Sequence, residues 1–288
     1  MAVKQGAGTM GPRKMAYARI RRTAGVIAHR CAVLVVLGFF VLPFFIMITN
    51  ALKPEVYINA YPPVLLFQPT FHHFAEVFRR YPFVSYMLNS AVISVSATAL
   101  GFVIGIPAAY AIARYALRRL VTLILVVRMI PYVSLLIPWY LMAQKANLVD
   151  TYPPMILTHL LFTIPYAAMI LVGFFEDIPM ALEEAAWIDG CSRIEAFVRI
   201  VLPLTLPGIV AAGIIAFTYS WNNFLFALVL TGAKTKTLPV AVYGFLTADQ
   251  VDWGGLSAAA TLITAPVLVF VFFVQRYLIR GLVAGAIK

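Results

Sequence analysis

The chain has 288 residues, of which 62% are hydrophobic and 11% charged, with a net charge of +11. Soluble domains are typically about half apolar and about a quarter charged, so a water-soluble fold is excluded. At a mean hydropathy of +0.92 the solvent is lipid, and the length allows about five to seven helical spans of roughly 20 residues each.

The chain opens on a basic segment, residues 1–30, with Lys4, Arg13, Lys14, Arg19, Arg21, Arg22 and Arg30. No short apolar region with a small-residue cleavage site follows it, so the next apolar run is read as a retained first helix. Six spans are predicted, over about 31–49, 87–112, 120–141, 153–175, 206–230 and 257–278. Together, residues 31–279 are predicted to form a six-helix transmembrane unit, and 280–288 a tail. With the N-terminus inside, fifteen Lys and Arg residues lie on inner segments and six on outer loops; Arg128 falls inside the third span. The positive-inside rule then places both termini in the cytoplasm. It also accounts for the net charge without any nucleic acid partner.

The outer loop over about 50–86 carries Pro54, Pro62, Pro63, Pro69 and Pro82, which suits an ordered cap or docking surface. In the second span Gly101 and Gly105 stand four apart, a spacing that permits close helix packing. Arg128 is costly at membrane depth, by roughly 2.5–3.5 kcal/mol on insertion scales. It either snorkels toward the inner surface or serves a pathway or an inter-subunit contact. Asn222 and Asn223 fall inside the predicted fifth span, where helix–helix hydrogen bonding is the simplest role. Contact with a polar solute, with stacking on Tyr219 or Trp221, is the alternative. The outer loop over about 231–256 mixes turn and apolar residues and either re-enters the membrane in part or reaches an external partner.

The most informative stretch precedes the fifth span. Glu176, Asp177, Glu183, Glu184, Asp189 and Glu195 are six of the eleven acidic residues, gathered within twenty positions. Asp177 and Pro179 suit the start of a helix running to about Ile188. Asp189-Gly190 makes a turn. Ser192 and Glu195 have capping-box spacing for a second short helix, predicted to end before Pro203. Small and apolar positions ringed by acids suit a helix that seats in a groove of a partner protein. A negatively charged cytoplasmic leaflet would repel the same acids, which argues against a helix lying on the membrane.

Glu184-Ala185-Ala186, Asp189-Gly190, Ile200, Leu202 and Pro203 follow the pattern EAA-x2-DG-x9-I-x-LP. This pattern resembles the EAA loop of ABC importer permeases. Further stretches are similar to the second, shorter permease of maltose-type carbohydrate importers: LPFFIMITNALKP, LNSAVISVSATALG, SWNNFLFALVLT, KTLPVAV and GLVAGAIK. The resemblance implies an all-α polytopic protein with the type I importer fold and a cytoplasmic coupling helix, in a bacterial inner membrane. It implies a non-enzymatic subunit working with a second permease, two ATPase subunits and an external solute-binding protein that delivers a sugar. It implies coupling roles for Glu184, Ala185, Ala186, Asp189, Gly190, Phe197 and Pro203, and ATPase contact by the tail residues Gly281, Gly285 and Lys288. The family often has an acid after Trp-Asn, where this chain has Asn223.

No cofactor or metal is expected in the chain itself. It holds no G-x-x-x-x-G-K-[ST] phosphate loop, and His29, His72, His73 and His159 lack zinc-ligand spacing. ATP and magnesium are expected on the partner ATPase. Among other classes, an ion-coupled transporter usually places carboxylates at mid-membrane, and none of the eleven acids lies in a predicted span. A membrane enzyme needs a nucleophile with its base or convergent acids, which the sequence does not offer. The same permease role for a non-sugar solute, such as a glycerol phosphate ester, stays open.

Overall fold

The computed structural model describes the backbone of residues 12–246 and 251–286, and the side chains of 25–246 and 251–272. The first helix, α1 (Pro12–Leu52), begins well before the predicted span and passes through Pro43. Its side chains from Gly25 onward are largely exposed, with Leu34, Val35 and Phe39 each more than two-thirds uncovered, as expected of a helix wrapped by lipid. Two short helices, α2 (Glu55–Ile58) and α3 (His72–Arg80), order the proline-rich loop that follows. The Thr70 N–H donates to the Leu52 carbonyl at 2.8 Å, and a His73 ring nitrogen lies 3.0 Å from the Lys53 carbonyl.

The second span is α4 (Phe83–Arg114). Its packing against a later span depends on missing side chains. A Cβ added at Gly101 would stand 2.3 Å from Thr163 Oγ1, and one at Gly105 2.7 Å from the Ala167 Cβ. Small residues at such positions let two backbones approach closely.

The third span is not one helix. α5 (Arg118–Arg128) stops, a single 3-10 turn covers Tyr132–Leu135, and α6 (Leu136–Lys145) continues at an angle of 78°. Pro131 explains the break, because it disfavours helical backbone at Ile130. Arg128 therefore sits at the corner of a bent pair rather than within a straight span. The fourth span, α7 (Tyr152–Glu176), carries Pro at its first turn and ends at Asp177.

After α7 come α8 (Ala181–Ile188) and α9 (Arg193–Ala196), then a π turn over Phe197–Val201 that leads without interruption into α10 (Leu202–Trp221). The sequence placed a helix end before Pro203; the structure runs through it. Pro203 cannot donate to residue 199, and the π turn just before it changes the hydrogen-bond spacing where that donor is missing. The fifth span thus starts at Arg193 and ends at Trp221, not at about 230. Residues 222–224 form a break, followed by α11 (Leu225–Leu230) and α12 (Leu238–Tyr243). The last helix, α13 (Trp253–Ala286), is continuous, so residues 280–286 extend a span. Among the described residues five helices are long and apolar enough to cross a membrane, and six if the bent pair counts as one span.

α4, α7 and α10 form the centre of the bundle, and α1 packs on α13. Ala109, Leu171, Phe175, Val201 and Ala212 fill the core at the end that carries the acidic segment. Phe83, Trp221, Leu238 and Ala258 fill it at the opposite end.

Candidate functional site

The acidic segment forms a helix–turn–helix that closes the bundle. Gly190 lies at φ +91°, a region that favours glycine. The Cys191 N–H donates to the Ala186 carbonyl and the Gly190 N–H to Trp187, the paired bonds of a Schellman ending. Ser192 and Glu195 form the expected capping box: the Glu195 N–H donates to Ser192 Oγ at 3.2 Å, and the Ser192 N–H to Glu195 Oε2 at 2.9 Å. Asp177 stands at the end of α7, and the residue before α8 is Met180, which makes no side-chain cap. The Arg193 guanidinium lies over the Trp187 ring at 4.7 Å and links the two arms.

This local structure sorts the acids by face. Glu184, Ala185, Ile188, Asp189 and Gly190 are exposed, and so is Pro203. Ala186 is buried, and Phe197 is half-buried against Tyr110, with ring centres 4.5 Å apart. Glu183 points the other way from its neighbour and is wholly buried. Arg114 Nε donates to Glu183 Oε1 at 2.5 Å, and the Tyr110 hydroxyl donates to Glu183 Oε2. The sequence grouped Glu183 with the outward acids. Its position one residue before Glu184 on a short helix, about 100° away at 3.6 residues per turn, was the available sign that the two differ.

The second feature is a cavity of about 980 Å³ beside the break in α10. Its wall includes Tyr132, Phe162, Thr218, Tyr219, Asn222, Asn223 and Phe224. Tyr219 packs on Phe162 and Tyr166, with centroid distances of 4.8 and 5.4 Å. The Thr218 hydroxyl is buried with no partner among the described residues, which adds a polar group to the wall beside Asn222 and Asn223. Asn222 ends α10, its side chain donating to the Thr218 carbonyl at 2.9 Å. Trp221 belongs elsewhere: it is buried, stacks on Phe217 and donates to the Ile263 carbonyl at 3.3 Å. Arg128 is outside the wall. Its guanidinium lies over the Tyr166 ring at 4.4 Å, and Nη1 donates to Met169 Sδ at 3.0 Å. The tail positions Gly281, Gly285 and Lys288 lie outside the residues whose side chains are described.

Residues 101–283 match the model of the binding-protein-dependent transport system inner membrane component family. The chain belongs to this family. It is 38% identical to the ABC transporter permease protein y4oR of Sinorhizobium fredii, over 88% of this chain and 92% of that one. It is 36% identical to the trehalose transport system permease protein SugB of Mycobacterium tuberculosis, over 88% and 94% of the two chains. A bacterial ABC transporter involved in import of the acidic polysaccharide alginate has the same fold, at a TM-score of 0.66 and 17% identity, over 94% and 99% of the chains. The protein is thus a multi-pass membrane component of a binding-protein-dependent transport system and not itself an enzyme.

At the opposite end of this permease, a feature without a sequence signal holds the loop after α11. The Asp150 carboxylate accepts the backbone N–H groups of Gly232, Lys234 and Thr235 and the Thr235 hydroxyl, all within 2.8–3.1 Å. Burial pushes this carboxyl up, but the donors from Lys234, Thr235 and Gly232 outweigh it and hold it down at about 2. Asn89 donates to the carbonyls of Lys234 and Lys236, and Ser90 Oγ accepts the Leu238 N–H. The segment from 231 to 238 is therefore tied to α4 and to the start of α7.

Proposed function

We propose that this chain is one of two permease subunits of an ATP-driven importer and forms half of the path for a sugar or sugar-like solute. An external binding protein delivers the solute, and two ATPase subunits, which hold ATP and magnesium, drive the cycle. The observation that carries this reading is the outward face of α8 and its turn. Glu184, Ala185, Asp189 and Gly190 lie exposed on a short helix that closes the bundle, as a helix that seats in a partner's groove requires. Ala186, Phe197 and Pro203 support the same element: the first two from within and the third at the base of α10. Gly281, Gly285 and Lys288 add a tail contact to the ATPase. Both termini and the 177–201 loop face the cytoplasm, on the balance of basic residues.

Tyr219, Asn222 and Asn223 line the solute path, where aromatic faces and amide groups suit a polyhydroxylated solute. Trp221 stands outside this wall, and Arg128 braces the bent span against α7. The relative that carries trehalose transport in its name favours a sugar.

Affinity purification of the tagged chain from its native membrane tests the reading. A second permease and an ATPase are expected with it, and ATP turnover in liposomes is expected to rise when the loaded binding protein is added. Solute uptake by this chain alone, driven by an ion gradient without ATP, would overturn it.

A further inference from the structure

Glu183 occupies the inward face of the same helix whose outward face carries the coupling role assigned above. We propose that Glu183 is a positioning residue that ties α8 to the end of α4 through Arg114 and Tyr110, so that displacement imposed on α8 moves the spans with it. The proposal rests on that coupling role and names the link that carries it into the membrane.

The pair is secluded from water: the Glu183 side chain is fully covered and that of Arg114 is 9% exposed. A buried ion pair returns little net stability compared with apolar residues of the same volume, so stability alone does not favour it at this place. What it supplies is direction. Two apolar surfaces slide past each other at small cost, whereas a buried charge cannot leave its counter-charge. The connection also branches. The Tyr110 ring that donates to Glu183 packs against Phe197, at the foot of α10, and against Phe175, in the last turn of α7, 5.7 Å away. The same α7 and α10 reach the cavity through Phe162 and Tyr219. Finally, Arg114 Nη2 is buried without an acceptor among the described residues.

The test is a distance measurement in the complete complex with its ATPase, in a Cys31→Ser, Cys191→Ser background. Spin labels at Leu182→Cys on α8 and Val103→Cys on the exposed face of α4 report the separation of the two helices, with and without ATP. In the parent the separation is expected to be narrow and the same in both states. With Glu183→Gln or Arg114→Met it is expected to broaden and to differ between them. A parent separation that itself changes with ATP, or variants that match the parent, would overturn the proposal. If the single variants do not assemble, the exchange of Glu183→Arg with Arg114→Glu decides. Recovery of assembly and of the narrow separation supports the tie, and failure of either overturns it. Absence of the ATPase from the parent complex would instead defeat the coupling role itself.

Discussion

Two carboxylates fix loops at opposite ends of this permease, and they do so by different means. Asp150 accepts mostly backbone N–H groups from residues 232–235, so its grip depends on the course of the partner loop and little on its side chains. Glu183 is held by side chains of a membrane span, so its grip depends on two particular residues. Backbone amides make a fixed clasp between one connection and another. A charge pair across two elements makes a tie between a short helix and a long one. On the proposed coupling role, the difference separates a part that holds still from a part that carries motion.

The largest effect is expected where that comparison is broken at the charged tie. Arg114→Ala leaves the Glu183 charge buried and unpaired, and is expected to destabilise the subunit by about 3–5 kcal/mol, read from denaturant unfolding in detergent. A loss below about 1 kcal/mol would show that the tie anchors nothing.

Asp150→Asn keeps the shape of the clasp and removes its charge. A loss of about 1–3 kcal/mol is expected, with faster hydrogen exchange over residues 231–238. The folded Asp150 carboxyl, at about 2, lies below the value of about 3.9 for an unfolded aspartate. Its contribution is therefore complete above about pH 4 and is lost as pH falls toward 2. The acid transition of Asp150→Asn should lack this component, and an unchanged acid limb would contradict the assignment.

The smallest effect is expected at the capping box, which neither carboxylate touches. Ser192→Ala should cost about 1 kcal/mol and fray α9 without altering hydrogen exchange at 231–238. A change in that distant loop would show that the two ends are not separate.

The sequence made some of this legible and left the rest hidden for physical reasons. Gly190, Ser192 and Glu195 act through local geometry, so their spacing predicts the turn and the capping box that the structure contains. Gly101 and Gly105 likewise signal close packing by their spacing. Hydropathy marks where a span is but not whether it is straight, so the bend at Pro131 and the stop at Asn222 escaped the predicted boundaries. Pro203 reads as a helix end by its chemistry, and only the π turn beside it shows how the helix continues. Glu183 and Asp150 are hidden because their partners are 69 and 82 or more residues away, and no local pattern distinguishes a carboxylate that faces inward from one that faces out.

The central claim is that one short helix presents two faces, one to the bundle and one to the ATPase. Photo-crosslinking from single positions along α8, in the assembled complex during ATP turnover, tests it most directly. Probes at Glu184, Ala185 and Asp189 are expected to join the ATPase, while probes at Glu183 and Ala186 join only this chain. Crosslinks to the ATPase from Glu183 and Ala186, or none from the exposed three, would contradict the account.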